Sequence, residues 1–252
     1  MTTMRWLSCG EQSVAEGTGW LSERERGHLD TIRFTKRRTE FLLRRHTGKR
    51  SVCAALGMST DVETMARIEI LNRLTGAPYV QVDGERAALD ISLSDRAGWA
   101  VALIGSEGAM AAGTLGIDLE IVEPRSHGFV SDFLTPAEQE YVAGRGRGEA
   151  WDEAANLIWS AKEAALKVLR VGLRADTRTV EVTVGDDADG DGWRRLSVRH
   201  VDGQVFPGWW RRDASFLLTL AALTETPPPT LLPGGDDLTA ATPVHSWLDH
   251  PV

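Results

Sequence analysis

The chain has 252 residues, 42% apolar and 25% charged, the balance of an ordinary soluble globular protein with length for one large domain or two small ones. A formal net charge of −8 excludes a nucleic-acid binder driven by counterion release, and the two cysteines, Cys9 and Cys53, form neither a disulfide framework nor a metal-ligand spacing. Residues 1–12 lack the long apolar stretch of a signal peptide, and the longest nearly apolar runs, 99–104 and 216–223, are too short to cross a bilayer, so a cytoplasmic protein without a membrane partner is expected.

Residues 21–26 read as a helix start, with Ser22 as N-cap and Glu25 completing a capping box. The pattern continues over 35–45 with Phe34, Phe41 and Leu42 on one stripe. Residues 33–50 hold eight Lys or Arg against one acid, Glu40, a local basic block suited to a small polyanion or to a solvated cationic face. Arg37 recurs at Arg44 and Arg38 at Arg45, nearly superimposed along a helix. After a break at Gly48, residues 52–58 and 62–74 read as helical; Gly76-Ala77-Pro78 is a turn and 79–82 a short strand.

Residues 88–94 and 99–104 read as strands joined near Ala97-Gly98, followed by a small, polar loop over 105–113. Residues 115–121 form the next strand. A helix then opens with Thr135 as N-cap, Pro136 at its first position and Glu138 at its third. Residues 144–148 are a basic turn, and 154–171 form the longest helix, stopped by Gly172. Strands follow over 179–184, 194–201 and 215–223, with an acidic hairpin loop at 186–192. No repeat is visible by eye. From Thr226 onward, runs of Pro and Gly-Gly-Asp-Asp predict a poorly ordered tail.

Two motifs carry chemistry. In Gly116-Ile117-Asp118-Leu119-Glu120 the two carboxylates lie two apart in a strand and share one side of it. In the run from Trp159 to Lys167, Glu163 and Lys167 lie four apart on one helical face, either as part of a site or as an ordinary intrahelical pair. Asp118, Glu120 and Glu163 are hard oxygen donors of the kind Mg²⁺ takes, and Lys162 and Lys167 supply positive charge beside them for an anion. That combination points to phosphate chemistry.

GIDLE followed by WSAKEAALK resembles the paired signature of the 4′-phosphopantetheinyl transferases, and the length resembles the pseudo-dimeric Sfp-type branch. Residues 36–45 are similar to that family's KR-x-x-EFL-x-x-R helix, and Gly76-Ala77-Pro78 to its Gly-x-Pro turn near the adenine. The resemblance implies an α+β monomer of two similar halves, 1–112 and 113–225, each a small antiparallel sheet packed with helices, meeting near 105–115 around the active site. It implies coenzyme A as donor and a serine of an acyl or peptidyl carrier protein as acceptor.

Carried onto this sequence, Asp118, Glu120 and Glu163 would bind Mg²⁺, and Glu163 would be the base. Lys167, assisted by Lys162, would neutralise the phosphates. Arg37, Arg38 and Arg45 would hold the 3′-phosphate side, with Gly76, Pro78 and Ser94 also on the coenzyme. Asp95 stands where the family has a phosphate-contacting histidine, and an acid there would repel a phosphate unless protonated or paired with a cation such as Arg96. Two alternatives stay open: a Mg²⁺-dependent nucleotide or diphosphate hydrolase, and a non-catalytic carrier-binding homologue.

Overall fold

A computed structural model describes residues 3–106, 114–170, 176–188 and 191–245. The first half contains β1 (Met4–Gly10), α1 (Glu23–Thr31), α2 (Thr35–Leu56), α3 (Val62–Arg67), β2 (Ile68–Asn72), β3 (Pro78–Val82), β4 (Glu85–Arg86), β5 (Leu89–Arg96) and β6 (Trp99–Ser106). The second contains β7 (Leu115–Ile121), α4 (His127–Phe133), α5 (Pro136–Gly144), α6 (Glu149–Leu169), β8 (Val180–Ala188), β9 (Arg194–His200), β10 (Val205–Asp213) and β11 (Phe216–Ala222), and the short β12 (Thr230–Leu231) follows. The architecture is mixed α+β. Its described strands form three sheets, ordered β12-β1-β6-β5, β7-β11-β10-β9-β8 and β2-β3-β4, antiparallel throughout except where β12 joins β1.

One arrangement occurs twice. At the start of α1, Ser22 and Glu25 form a capping box, and Glu25 Oε1 accepts the Ile70 N–H of β2 at 3.0 Å. Lys49, fully buried on α2, pairs with Glu25 at 2.5 Å and donates to the Trp20 and Met65 carbonyls, both at 2.9 Å. At the start of α5, Thr135 and Glu138 form the same box, and Glu138 Oε1 accepts the Val182 N–H of β8 at 2.7 Å. Lys162, fully buried on α6, pairs with Glu138 at 2.7 Å and donates to the Thr177 and Val180 carbonyls at 2.9 and 2.7 Å. Ser22, Glu25 and Lys49 each lie 113 positions before Thr135, Glu138 and Lys162. Both charges of each pair have their hydrogen-bonding capacity met, which is the condition under which a buried ion pair is tolerated. The repeat is one of hydrogen-bond geometry, carried by few identical residues, and so it escapes inspection of the sequence.

The halves differ in how their strands are joined. In the second half β8 to β11 form one continuous ladder. In the first, β3 packs against β5 without joining it, so the corresponding sheet is split in two and a gap opens between the strands.

Several local expectations are corrected. Gly48 does not break a helix: α2 runs through it, and a Cβ there would meet Ile70 Cδ1 at 2.3 Å, so the glycine serves close packing. Residues 62–74 are a six-residue helix followed by β2, whose Ile68 and Ile70 are buried in alternation; tertiary pairing with β3 outweighs the helical reading. The strands β1 and β10 and the helix α4 were not anticipated. The tail is ordered over 226–245: Leu232 and Leu238 are buried, Trp99 Nε1 donates to the Thr242 carbonyl at 3.0 Å, and Trp209 Nε1 donates to the Thr226 carbonyl at 3.2 Å. Its Pro/Gly-rich composition masked the widely spaced apolar residues that dock on the sheets. The loop expected over 105–113 falls almost wholly outside the described residues, as do the helix end at 171–172 and positions 189–190 of the acidic hairpin.

Candidate active site

The edge strands β5 and β7 lie side by side, joined by side chains rather than by a backbone ladder. Ser92 Oγ accepts the Ile117 N–H at 3.0 Å, Asp90 Oδ2 accepts the Thr114 N–H at 2.7 Å, and Ser94 donates to Asp118 Oδ1 at 2.8 Å. Alternation along β7 turns Gly116, Asp118 and Glu120 to one side, while Ile117 and Leu119 enter the core on the other. The long helix α6 covers the first side. Ser160, Glu163, Ala164 and Lys167 recur on its inner face at the three-to-four-residue spacing of a helix.

Asp118 is the centre of this contact. Besides Ser94, it accepts from Ser160 Oγ at 2.9 Å and Lys167 Nζ at 2.9 Å, and Ser160 is in turn tied to Thr219 of β11 at 2.8 Å. Lys167 also donates to the Ile117 carbonyl at 2.7 Å and reaches the Leu93 carbonyl at 3.5 Å, so one ammonium staples α6 to both strands. Glu163 has no such partner: its Oε1 is buried without a hydrogen bond. Burial, then the charge of Asp118, pushes the Glu163 carboxyl up to about 7, with Lys167 opposing. Glu120 is pushed up to about 7 by burial and by Asp118, against the pull of Arg96 and Arg125, which it meets at 3.0 and 3.5 Å.

The intimacy of this packing rests on Gly116. A Cβ there would fall 1.9 Å from the Ala164 carbonyl oxygen, a backbone atom that moves only if α6 moves. Gly116→Ala is therefore expected to destabilise the fold by roughly 3 kcal/mol through overpacking, read as a shift in the urea midpoint. A change under half that size would show that α6 can lift off β7 at little cost.

Residues 114–218 match the family model of the 4'-phosphopantetheinyl transferase superfamily. The matched segment contains Asp118, Glu120, Glu163 and Lys167 with the elements that carry them. No curated protein matches the chain.

A pocket of about 240 Å³ opens beside Lys167, in the gap where β3 leaves β5. Thr75, Gly76, Ala77 and Pro78 form one wall and Ile91, Ser92 and Leu93 another, with Leu115, Lys167 and Arg170 closing it. Gly76, Pro78 and Lys167, distant in sequence, are thus brought to one cavity next to Asp118. Arg170, Ser92 and Ser160 were not anticipated. Arg170 lies three residues beyond Lys167, as the C-cap of α6 in the left-handed region, and only that proximity to the motif could have suggested it.

Other expected residues lie elsewhere. Lys162 projects away from the cluster to Glu138, and with three short contacts it has no donor to offer an anion. Arg38 donates to the Leu29 and Ile32 carbonyls, closing the end of α1. Arg45 is buried against Glu25 at 3.6 Å and over the Phe41 ring at 4.7 Å; burial lowers its pKa to about 10. Of the three arginines expected on the coenzyme, Arg37 alone is exposed, and none is in the wall of the Gly76 pocket.

Asp95 faces the opposite side of β5 from Ser94 and pairs with Arg44 of α2. The expected partner, Arg96, is engaged instead by Glu120 and Glu123. Asp118, Glu120 and Glu163 are neighbours, yet among the described residues no three His, Cys, Asp or Glu converge at ligand spacing. Also among the described residues, no helix is long and apolar enough to cross a membrane.

Proposed function

We propose that the chain transfers 4′-phosphopantetheine from coenzyme A to a serine of an acyl or peptidyl carrier protein, releasing adenosine 3′,5′-bisphosphate, as a member of the Sfp-type branch. The observation that carries this reading is the junction of the Asp118–Glu163–Lys167 cluster with the Gly76–Pro78 pocket across the β5–β7 seam. It supplies a lysine in the wall of the cleft, a carboxylate with one buried oxygen unpartnered and an adjoining cleft large enough for part of a nucleotide.

Asp118, Glu120 and Glu163 would hold Mg²⁺. Their chemistry fits it: they are oxygen donors, Asp118 raises the proton affinity of both neighbours, and one Glu163 oxygen is buried without a partner. When bound, the ion would neutralise the diphosphate of the substrate. The chain's own groups do the rest. Lys167 and Arg170 face the diphosphate from the end of α6, and the 75–78 turn holds the nucleoside end.

Glu163 is the base that takes the serine proton. The serine Oγ forms a bond to the β-phosphorus while the bond from that phosphorus to the bridging oxygen breaks, leaving the bisphosphate. Positioning and charge neutralisation supply most of the acceleration in such transfers.

Incubation with Mg²⁺, coenzyme A and apo carrier domains, followed by intact mass measurement, tests the reading. The expected result is a phosphopantetheine mass gain that disappears in Glu163→Ala. Phosphate release without any carrier would favour the hydrolase instead, and bound coenzyme A with no gain on any carrier would leave a non-catalytic homologue.

A further inference from the structure

A cavity of about 450 Å³ shares no wall residue with the Asp118 cluster. It is a groove between α5, α6 and the outer strands β8 to β10. Its counterpart in the first half is the groove of about 250 Å³ between α1, α2 and β2. Tyr141, Ala154 and Val184 of the larger groove stand where His28, Phe41 and Asn72 stand in the smaller, at offsets of 112 to 113 residues. The exchange of Phe41 for Ala154 removes an aromatic ring from the floor, which accounts for the added room.

The chemistry of this groove is specific. Three arginines line it against two glutamates. Arg212 is already neutralised by Glu149 and Glu153. Arg145 lies 4.4 Å over the Tyr141 ring and donates from Nη2 to its hydroxyl at 2.7 Å, Arg194 lies 5.1 Å over the Trp210 ring, and neither has a carboxylate partner among the described residues. A guanidinium over a ring face keeps N–H donors at its edge, and those not already given to Tyr141 are left for a planar or tetrahedral anion.

Trp210 gives the independent observation. It is only 4% exposed, and its Nε1–H has no hydrogen-bond partner among the described residues. Buried indole donors are rarely left unpaired.

We propose that this groove is a second binding site, taking a small organic anion with a flat apolar body, such as an aromatic carboxylate or phosphate monoester. The body would lie on Ala154, Leu157 and Val184, the anionic group would meet Arg145 and Arg194, and an acceptor atom would satisfy Trp210. The proposal stands independently of the transfer reading, since none of these residues belongs to the Asp118 cluster.

Phenyl phosphate is a suitable probe. In ¹⁵N-labelled protein, the Trp210 indole cross-peak, assigned by its loss in Trp210→Phe, is expected to shift saturably in the millimolar range. Arg194→Ala should weaken that response by about tenfold, the effect of removing one charge-assisted contact. Among the described residues Arg194 supports no ion pair, so this variant is expected to fold; Ala154→Phe, which restores the ring found in the first half, should abolish binding. Inorganic phosphate at the same concentrations should leave the peak in place. No shift with phenyl phosphate, an undiminished shift in Arg194→Ala, or an equal response to inorganic phosphate would each overturn the assignment.

Discussion

Glu163→Gln is expected to lower carrier labelling by about 10²–10⁴-fold, the range attributable to a general base, while leaving the fold intact. The amide keeps the shape of the side chain and removes the one group in the cluster whose buried oxygen lacks a partner. Wild-type labelling should rise with pH as the carboxyl loses its proton. Because a bound Mg²⁺ would favour the carboxylate, that rise should lie below the value of about 7 that burial and Asp118 give the metal-free chain.

The stability of the metal-free protein should run the other way. The Glu163 carboxyl titrates at about 7 in the folded chain against an ordinary value of 4.5, so the folded state binds the extra proton between those limits. Its contribution is fully present below 4.5 and is lost as pH rises through about 7. Glu120, raised to about 7 in the same way, adds to that slope. Thermal melts from pH 5 to 8 should therefore fall for the wild type and fall less steeply for Glu163→Gln. Retained labelling in the variant would remove Glu163 from the chemistry, and an unchanged slope would remove the account of its burial.

The two lysines of the WSAKEAALK motif should separate cleanly. Lys162→Met leaves Glu138 ionisable, buried and without its cation, and abandons two carbonyls, so a loss of about 3–5 kcal/mol is expected from denaturant titration. Labelling per folded molecule should be little changed, because Lys162 makes no contact with the cluster. Lys167→Met should do the reverse. Its ammonium is partly exposed beside the Gly76 pocket, and its loss should lower labelling by about 10²–10³-fold, with a smaller effect on stability. The opposite pattern would return Lys162 to the active site.

The carboxylates were legible because their spacing has one reading in each element. Two apart in a strand and four apart in a helix fix which side chains share a face, whatever the rest of the fold does. The capping boxes at Ser22 and Thr135 were legible for the same reason, being closed within a single turn. Residues 68–72 were misread because their strand character depends on pairing with β3, a contact outside any local window. Arg38 and Arg45 have the composition and spacing of an anion grip, yet Arg38 donates to nearby carbonyls and Arg45 is buried as an ion pair with Glu25.

The motif at 116–120 and its partner at 159–167 were therefore determined by sequence: residue types and periodicity are enough to name the acids, the lysines and the faces that bear them. Tertiary structure alone decided which lysine meets Asp118 and which is sealed against Glu138, because both lie on one helix and differ only in what packs opposite them. It alone also decided that Asp95 answers to Arg44, that the segment 226–245 is part of the fold, and that a groove opens over Ala154 where the first half has Phe41. Local pattern sets where a side chain points along its own element. What it finds there is set by chain segments dozens to hundreds of residues away.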